Sequence, residues 1–368
     1  MDSWLERAAA LRPDRTAVEA PEGSLTYAEL LDAARHLELD AGPGDCVPIA
    51  VPPGVQFAVT LHACLLRGAA AMPVDLREPD AIVRARSVAD DVALVVHTSG
   101  TTGEARPVPL SEQNILHSAL GTAAMLGVHA DDRWLCPLPL NHVGGLMVLL
   151  RSAIYATTAV IGTHDPEATL VSFVPTQLAR GQDAGMPRLR AILLGGGPIP
   201  PELRRPGVLE TYGMTETTSM AALDGFALPG VDIAIAEDGE ILVSGPIVAG
   251  GGTHHTGDLG RVEDGRLIVT GRKSDTIITG GENVAPAEVE GVLMAHPGVE
   301  DAAVVGRPDP EWGEAVTASV VLRAPADPQE LREWVAGRLA RFKVPKAVEV
   351  AETLPRNPSG KLLRRELR

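Results

Sequence analysis

Aromatic residues make up only 3% of this 368-residue chain, so they cannot supply much of a hydrophobic core. The hydrophobic fraction is nevertheless 45%, and Ala, Val and Leu must therefore fill the interior. Cysteine occurs only three times, at wide spacing, which excludes a disulfide framework and the usual zinc-binding patterns. We therefore expect a protein of the reducing cytoplasm.

Basic residues are also scarce: the chain has 32 Lys and Arg but 48 Asp and Glu, and its net charge is −16. A nucleic-acid-binding domain normally carries a basic surface or stripe. Here the one basic stretch is the short end from Lys361 to Arg368. The sequence thus argues against binding to nucleic acid or to anionic membrane, and any anionic substrate must be held by local donors.

Long uninterrupted apolar runs are missing as well. The first 15 residues are charged and lack the apolar centre of a signal peptide. The most apolar stretch, residues 143–162, has Arg151 in its middle, which predicts a buried helix followed by a strand and no membrane span. The G-x-x-x-x-G-K-[ST], G-x-G-x-x-G and G-x-S-x-G motifs are absent too.

The first two thirds of the chain alternate helical and strand patterns, which predicts an α/β domain with a largely parallel sheet. Helices are predicted at residues 27–38, 56–67 and 111–125. Strands are predicted at residues 47–51, 71–74, 92–96, 157–161, 169–174 and 190–194.

The pattern changes near residue 230, where two Asp-Gly pairs lie between strand-like segments and predict antiparallel hairpins. After Gly271 the order is strand (275–279), helix (286–295), strand (299–305), strand (315–322), helix (328–341) and strand (347–350). We therefore predict a large domain over residues 1–271, with a β-rich subdomain at about 230–271. A small α+β domain follows over residues 272–368.

Five segments contain residues suited to phosphate, ribose or metal chemistry. Small hydroxyl residues and glycines can surround phosphate oxygens, and acidic residues can hold Mg²⁺ or ribose hydroxyls. Each segment alone is also typical of an ordinary polar turn. They are His97 to Gly103, Tyr212 to Thr218, His255 to Gly260, Gly271 to Asn283, and Pro355 to Lys361.

Together and in this order, the five segments resemble the adenylate-forming superfamily of acyl- and aryl-CoA synthetases, peptide-synthetase adenylation domains and luciferases. The resemblance extends from Thr26-Tyr27 to Lys361. It implies a large N-terminal domain and a C-terminal lid that turns about Ser274. It also implies that a carboxylate attacks the α-phosphate of ATP, with Mg²⁺ present, and that a thiol then displaces AMP.

The resemblance further assigns roles to individual residues of this sequence. Lys361, Thr215, Glu216 and His142 would be catalytic, with Glu216 also carrying the metal. The ATP-binding residues would be Thr98, Ser99, Gly100, Thr101, Thr102, Gly103, Gly195, Gly196, Gly197, Tyr212, Asp258 and Arg272. Gly280, Gly281 and Glu282 would serve the CoA step. The acyl substrate would contact His142, Ser172, Thr176, Gln177, Thr217 and Thr218.

Within the superfamily, residues 137–145, 172–177 and 197–201 look like those of the o-succinylbenzoate–CoA ligases of menaquinone biosynthesis. The expected partners are thus a small carboxylate, ATP and CoA. Three alternatives stay open: a ligase for another aryl or acyl acid, a stand-alone enzyme that loads a carrier protein, and a nucleotide-binding pseudoenzyme. The sequence also leaves monomer and homodimer open.

One departure from the family pattern generates a prediction. The family usually has Lys-Pro-Lys-Gly after the Gly-Thr-Thr-Gly loop, whereas this chain has Glu104-Ala105-Arg106-Pro107. Replacing the carboxylate in Glu104→Lys should tighten ATP binding, and more so at low salt, since salt screens exposed charges beyond roughly 10 Å at 0.1 M. ATP titrations at two ionic strengths measure this. An unchanged affinity at low salt would mean that the side chain points away from the phosphates.

Overall fold

The computed structural model describes residues 3–77, 87–99, 105–356 and 362–368. The chain divides into two compact units. The N-terminal unit comprises residues 1–196, 203–233 and 243–254. The C-terminal unit comprises residues 197–202, 234–242 and 255–368. These units are defined by how the chain packs, which does not test where a lid would turn. The domain boundary between residues 271 and 272 and the β-rich subdomain at about 230–271 therefore stay predictions.

Helices lie where the sequence predicts them, and α1 and the short α6 are two additions that it does not predict. They are α1 (Trp4–Leu11), α2 (Tyr27–His36), α3 (Val55–Leu66), α4 (Glu112–Leu126), α5 (Val143–Tyr155), α6 (Pro175–Ala179), α7 (Pro286–Met294) and α8 (Pro328–Ala336).

The strands of the N-terminal part are short and mostly buried. They are β1 (Thr16–Ala20), β2 (Gly23–Thr26), β3 (Cys46–Ile49), β4 (Ala70–Pro73), β5 (Val92–Ser99), β6 (Ala105–Ser111), β7 (Arg133–Cys136), β8 (Thr158–Ile161), β9 (Leu170–Phe173), β10 (Ala191–Leu194), β11 (Val208–Tyr212), β12 (Ala222–Leu223) and β13 (Phe226–Ala227). The later strands are β14 (Asp232–Ile235), β15 (Glu240–Ser244), β16 (Thr253–Glu263), β17 (Arg266–Arg272), β18 (Ile277–Thr279), β19 (Glu282–Val284), β20 (Val299–Asp309), β21 (Gly313–Leu322) and β22 (Ala347–Val350).

The main sheet has the order β13-β12-β11-β10-β9-β7-β8-β1-β2. Its centre, from β11 to β1, is parallel, and the pairs at both ends are antiparallel. The expectation of a largely parallel α/β sheet is therefore confirmed. Strands β7 to β10 are mostly buried and apolar, as expected where helices cover a sheet, whereas β11 is half-buried along its whole length.

A second sheet of the N-terminal unit, β3-β4-β5-β6, ends in an antiparallel pair. Helix α4 follows β6 directly and begins where the sequence predicts. The Ser111 hydroxyl accepts a hydrogen bond from the Asn114 N–H at 3.2 Å, while the Asn114 side chain accepts one from the Ser111 N–H at 2.9 Å. This reciprocal capping satisfies two backbone donors at the helix start.

Both Asp-Gly hairpins form. Strands β14 to β17 make a four-stranded sheet in sequence order, with Asp238-Gly239 between β14 and β15 and Asp264-Gly265 between β16 and β17. The antiparallel structure predicted after residue 230 is thus confirmed.

The C-terminal sheet has the order β19-β18-β21-β20, with β22 added in parallel beside β21. Helices α7 and α8 contribute Val289, Leu293, Leu331 and Val335 to its buried core. One prediction was wrong here, because α8 ends at Ala336 and does not continue to residue 341. Gly337 caps the helix, and glycine lowers helix propensity, so the chain turns away and packs Leu339 against the core.

The core is built as the composition requires, mainly from Ala, Val and Leu, with Trp134, Tyr27 and Phe173 the largest fully buried side chains. The three cysteines, Cys46, Cys64 and Cys136, are free and buried. Burial raises the pKa of the Cys64 and Cys136 thiols to about 12. Among the described residues, no helix combines the length and the apolar character needed to cross a membrane.

A buried histidine generates a prediction about stability. His62 of α3 is 3% exposed and lines a small internal cavity with Tyr27 and Leu149. Burial lowers its pKa from 6.5 to about 4, because the interior disfavours the charged ring. The unfolded chain therefore binds a proton at higher pH than the folded chain, and His62 costs stability as the pH falls from 6.5 towards 4.

His62→Leu should remove this cost. Between pH 7.5 and pH 5, the unfolding free energy of the wild-type protein should fall by roughly 2 kcal/mol more than that of the variant. Urea titrations at both pH values measure the difference. Parallel losses in the two proteins would show that the ring is protonated as easily in the folded state as in the unfolded one.

Candidate functional site

Most candidate residues of the N-terminal unit lie at one edge of the main sheet. Strands β7, β9, β10 and β11 are adjacent and parallel, so their carboxyl ends point the same way. Ligands of open α/β sheets bind beyond such ends. The carboxyl ends of these four strands and the segments after them contain, in strand order, His142; Ser172 to Gln177; Gly195 and Gly196; and Tyr212 to Thr218.

The glycine at the end of β10 permits a close approach to β11. A Cβ atom at Gly195 would lie 2.1 Å from the Thr211 Oγ1 atom and 3.0 Å from the Thr211 carbonyl oxygen. The Thr211 hydroxyl donates to the Leu194 carbonyl at 3.2 Å. Gly196 has φ of +84°, which favours glycine, whereas an added Cβ at Gly197 would meet nothing within 4 Å.

The turn after Tyr212 is held by backbone contacts from distant segments. Residues 215–217 form a single 3₁₀ turn, and the Glu216 carbonyl accepts the Ala249 N–H at 2.9 Å. Thr218 has φ of +52°, an uncommon conformation for a β-branched residue. Its hydroxyl donates to the Ile247 carbonyl at 2.7 Å, and its own carbonyl accepts the Ser118 hydroxyl at 2.8 Å. Strained backbone held by its surroundings is typical of functional sites.

The strand that pairs with the start of the first predicted segment approaches the second segment in this unit. Strand β6 contacts the 3₁₀ turn that contains Thr215 and Glu216. Thr98 lies opposite Arg106 in the β5–β6 pair, and its hydroxyl donates to the Arg106 carbonyl at 3.4 Å. Ser99 ends β5. The described residues give the Glu216 carboxylate no hydrogen bond or ion pair, so its oxygens can accept a cation.

The acyl-site candidates differ in how far their polar atoms are already used. The Ser172 hydroxyl accepts the Trp134 Nε1–H at 3.0 Å. The Gln177 Oε1 atom accepts the Val174 N–H at 3.0 Å at the start of α6, which also contains Thr176. His142 precedes α5, and burial lowers the pKa of its ring, while the Asp75 carboxylate acts in the opposite direction.

Thr217 and Thr218 are the weakest of the acyl candidates. Both are buried. The Thr217 hydroxyl accepts the Met214 N–H at 3.0 Å and donates to the Met214 carbonyl at 3.2 Å. Since the Thr218 proton is also donated to a carbonyl, neither hydroxyl offers a proton to a ligand in this structure. Their contact with an acyl group stays a prediction.

Arg151 is a residue that the sequence reasoning treated only as an interruption of an apolar run. It is 2% exposed, in the middle of α5. Its Nη2 atom donates to the Ser118 hydroxyl at 3.1 Å, and its guanidinium lies 5.8 Å from the centre of the Trp134 ring. Its Nε atom has no hydrogen-bond partner among the described residues, and none of their carboxylates pairs with it. Burial lowers its pKa.

In the C-terminal unit, Asp258 and Arg272 face each other across the β16–β17 pair. The Arg272 Nε atom lies 2.8 Å from the Asp258 Oδ1 atom. The Asp258 N–H donates to the Thr256 hydroxyl at 3.1 Å, and that hydroxyl donates to the Ile241 carbonyl at 2.8 Å. The structure thus brings the two predicted ribose-binding residues together and fixes the backbone of one of them.

A neighbouring group supports this pair and was not predicted. The buried Glu240 carboxylate accepts the Gly257 N–H at 2.9 Å and the Lys273 ammonium at 3.2 Å. Lys273 also contacts the Asp238 carboxylate at 2.5 Å. The backbone hydrogen bond from Gly257 is the main cause of the lowered pKa of Glu240. Glu240 therefore stabilises the turn before Asp258 and the residue after Arg272.

The predicted hinge and thioester segment follow directly. The Ser274 hydroxyl lies in a 3₁₀ turn, 3.4 Å from the Asp275 carboxylate. Gly280 and Gly281 form the β18–β19 turn, with φ of +59° and +85°, and Glu282 begins β19 and is exposed. A Cβ at Gly280 would lie 2.9 Å from the Trp312 ring. Gly100, Thr101, Thr102, Gly103 and Lys361 lie outside the described residues.

Comparison with known proteins identifies a family along most of the chain. The AMP-binding enzyme profile matches residues 5–86 and 76–251, and the AMP-binding enzyme C-terminal domain profile matches residues 288–361. The 2-succinylbenzoate–CoA ligase of Bacillus licheniformis is 33% identical, with 99% of each chain covered. That alignment has 472 positions, so part of the relative's length has no counterpart in these 368 residues.

Two solved structures of the o-succinylbenzoate–CoA synthetase of Bacillus subtilis are similar to this chain. The complex with the acyl-adenylate intermediate is 32% identical, with 100% of this chain and 98% of that chain covered and a TM-score of 0.88. The complex with ATP and a magnesium ion is 31% identical, with 99% and 98% covered and a TM-score of 0.86. This similarity supports the expected fold, in which a large N-terminal domain is followed by a small C-terminal domain.

The contact between Gly195 and Thr211 generates a prediction. Gly195→Ala should destabilise the N-terminal unit by roughly 1–3 kcal/mol, because the new Cβ would overlap Thr211 and push β10 away from β11. Gly197→Ala is the matched control, since its Cβ would meet nothing within 4 Å. Denaturant unfolding of both variants tests this, and equal stabilities would show that the strand ends can separate without cost.

Proposed function

The chain belongs to the AMP-binding enzyme family, and on that premise we propose that it is an ATP-dependent, AMP-forming acid–thiol ligase that converts o-succinylbenzoate into its CoA thioester. ATP and CoA are its co-substrates, and Mg²⁺ accompanies ATP. The support is the agreement between the residues at the sheet edge, the Asp258–Arg272 pair and the named relatives.

The first step joins two anions, because a carboxylate oxygen attacks the α-phosphorus of ATP while the bond to pyrophosphate breaks. Donors that meet the phosphates are therefore the main requirement. We assign the β- and γ-phosphates to the segment from Thr98 to Gly103 and the α-phosphate to Thr215. Gly195, Gly196, Gly197 and Tyr212 would border the adenine, and Asp258 with Arg272 would hold the ribose.

Glu216 is suited to a magnesium site, because none of the described residues forms a hydrogen bond or ion pair with its carboxylate. Mg²⁺ prefers oxygen ligands and is commonly held by one or two carboxylates together with substrate phosphates. The ion would neutralise phosphate charge when bound. Glu216 would hold it beside Thr215, on a turn that the Ala249 N–H fixes.

The second step transfers the acyl group from AMP to the CoA thiol. We propose that residues 272–368 turn about Ser274 between the two steps. Lys361 would serve adenylation, whereas Gly280, Gly281 and Glu282 would serve thioester formation. Lids of this kind commonly limit turnover. We also propose a cytoplasmic protein, since all three cysteines are unpaired thiols.

The buried charge of Arg151 is the observation on which we base the choice of substrate. A buried guanidinium without a carboxylate partner is costly, and its charge is felt strongly because the surroundings are apolar. Its neighbour Ser118 contacts the Thr218 carbonyl, and its neighbour Trp134 donates to Ser172. One intermediate residue in each case thus links Arg151 to Thr218 and to Ser172, two of the predicted acyl-site residues.

This arrangement suits a dicarboxylate better than a fatty acid or benzoate. Only the aliphatic carboxylate of o-succinylbenzoate should react, so the aromatic carboxylate remains charged and must be held inside a protein of net charge −16. We propose that the Arg151 charge stabilises it, with His142, Ser172, Thr176 and Gln177 lining the acyl site.

The test compares two substrates with two proteins. Wild-type kcat/KM for pyrophosphate release should be on the order of 10²-fold or more higher with o-succinylbenzoate than with 4-phenyl-4-oxobutanoate, which lacks the aromatic carboxylate. In Arg151→Met, the first value should fall and the second should change little. The second substrate is the control for folding, because damage to the fold would lower both.

Benzoate and octanoate complete the panel. Equal activity with either acid and with o-succinylbenzoate would replace the proposal with a general acyl- or aryl-CoA ligase. Acyl transfer that free CoA does not support, but that a carrier protein does, would identify a loading enzyme. If Arg151→Met keeps full preference for the dicarboxylate, the buried charge has no part in recognition.

A further inference from the structure

Arg364 connects two segments of the C-terminal unit that are far apart in sequence. Its side chain is 17% exposed and lies in the turn formed by Arg364–Glu366, three residues after Lys361. The Nη2 atom donates to the Glu290 Oε2 atom at 2.9 Å, and Nη1 contacts the other oxygen of the same carboxylate. Nη1 also donates to the Val304 carbonyl at 2.8 Å.

The remaining nitrogen of this guanidinium reaches the hinge. The Arg364 Nε atom lies 3.2 Å from the Asp275 Oδ2 atom, and Asp275 directly follows Ser274. Glu290 is itself fixed, because its Oε1 atom accepts the Val304 N–H at 2.7 Å. A planar guanidinium with donors on three sides can bind two carboxylates and a carbonyl at once, which a lysine ammonium cannot do with the same geometry.

Other contacts join the described residues on either side of the segment that contains Lys361. Arg356 and Leu362 form an isolated antiparallel bridge, and the Leu363 N–H donates to the Pro355 carbonyl at 2.9 Å. Arg356 contacts both oxygens of Asp301, at 3.0 and 2.7 Å. These contacts hold the residues that flank this segment, but of the contacts described here only the one from Arg364 joins them to the residues at Ser274.

We propose that Arg364 is a positioning residue for adenylation: it fixes the chain just after Lys361 to the residue that follows the predicted hinge. A turn about Ser274 would then carry Asp275 and the chain that follows Lys361 together. The inference rests on the proposed role of Lys361. It requires no contact between Arg364 and substrate.

Arg364→Lys is the principal test. It keeps a cation beside Glu290, so the buried carboxylate stays paired, but it cannot span Glu290 and Asp275. The rate of ATP–pyrophosphate exchange with o-succinylbenzoate should fall about 10- to 100-fold, because small displacements of a catalytic group have effects of that size. The KM for ATP and the rate of thioester formation from preformed acyl-adenylate should each change less than about threefold.

A second variant approaches the contact from its other side. Asp275→Asn leaves the Glu290 pair intact and removes only the charge at the hinge, so it should fold and should lower exchange in the same direction by a smaller factor. The double variant should be no slower than Arg364→Lys alone, since both changes break one contact. Arg307→Lys is the control, because Arg307 pairs with Glu349 and the Leu367 carbonyl in the same unit but not with the hinge.

The outcomes separate this inference from the proposed function. If the wild-type protein exchanges pyrophosphate with none of the acids, the proposed function fails and the inference fails with it. If the wild-type protein exchanges and Arg364→Lys does so equally well, only the inference is overturned. Equal losses of adenylation and thioester formation, with a lower melting temperature, would also overturn it, because they show an ion pair that merely stabilises the unit.

Discussion

The parallel pairing of four neighbouring strands is the constraint on which the N-terminal site depends. Hydrogen bonding between β7, β9, β10 and β11 brings their carboxyl ends to one edge of the sheet. Candidate site residues as far apart in sequence as His142 and Thr218 therefore lie at the same edge, although no single short motif contains them. The close approach of Gly195 to Thr211 and the strained backbone of Thr218 are local features of that convergence. Thr218 is held by a hydrogen bond from the Ser118 hydroxyl to its carbonyl and by one from its own hydroxyl to the Ile247 carbonyl.

Much of the fold was predictable because its signals are local. The Ser111 cap, the Asp-Gly turns and the apolar strands each act over a few residues, and all of them appear where the sequence indicated. Helices α1 and α6 and strands β1, β2, β6, β7, β12, β13 and β19 were not predicted. Strand β7 has four residues, and β6 contains two prolines, so neither has a strong pattern of its own, and both depend on pairing with distant strands.

For the site, the sequence provided the types of residue and the resemblance provided their roles. The Asp258–Arg272 pair was expected as two ligands of one ribose, and the two residues prove to be direct cross-strand partners. Glu240 could not be found this way, since a glutamate in an apparent exposed hairpin shows nothing of the Gly257 N–H that it accepts. Arg151 did leave a signal, as a charge within the most apolar stretch. That the Thr217 and Thr218 hydroxyls donate their protons to backbone carbonyls could be learned only from three-dimensional contacts.

The placement of the three cysteines has a practical consequence for measurement. All of them are buried thiols of the N-terminal unit, and the C-terminal unit has none. A thiol reagent can modify them only when the N-terminal unit opens, since a buried thiol with a raised pKa is nearly unreactive. The rate of thiol labelling thus reports how often the N-terminal unit opens. This rate can be measured without any engineered probe, and unfolding confined to the C-terminal unit does not change it.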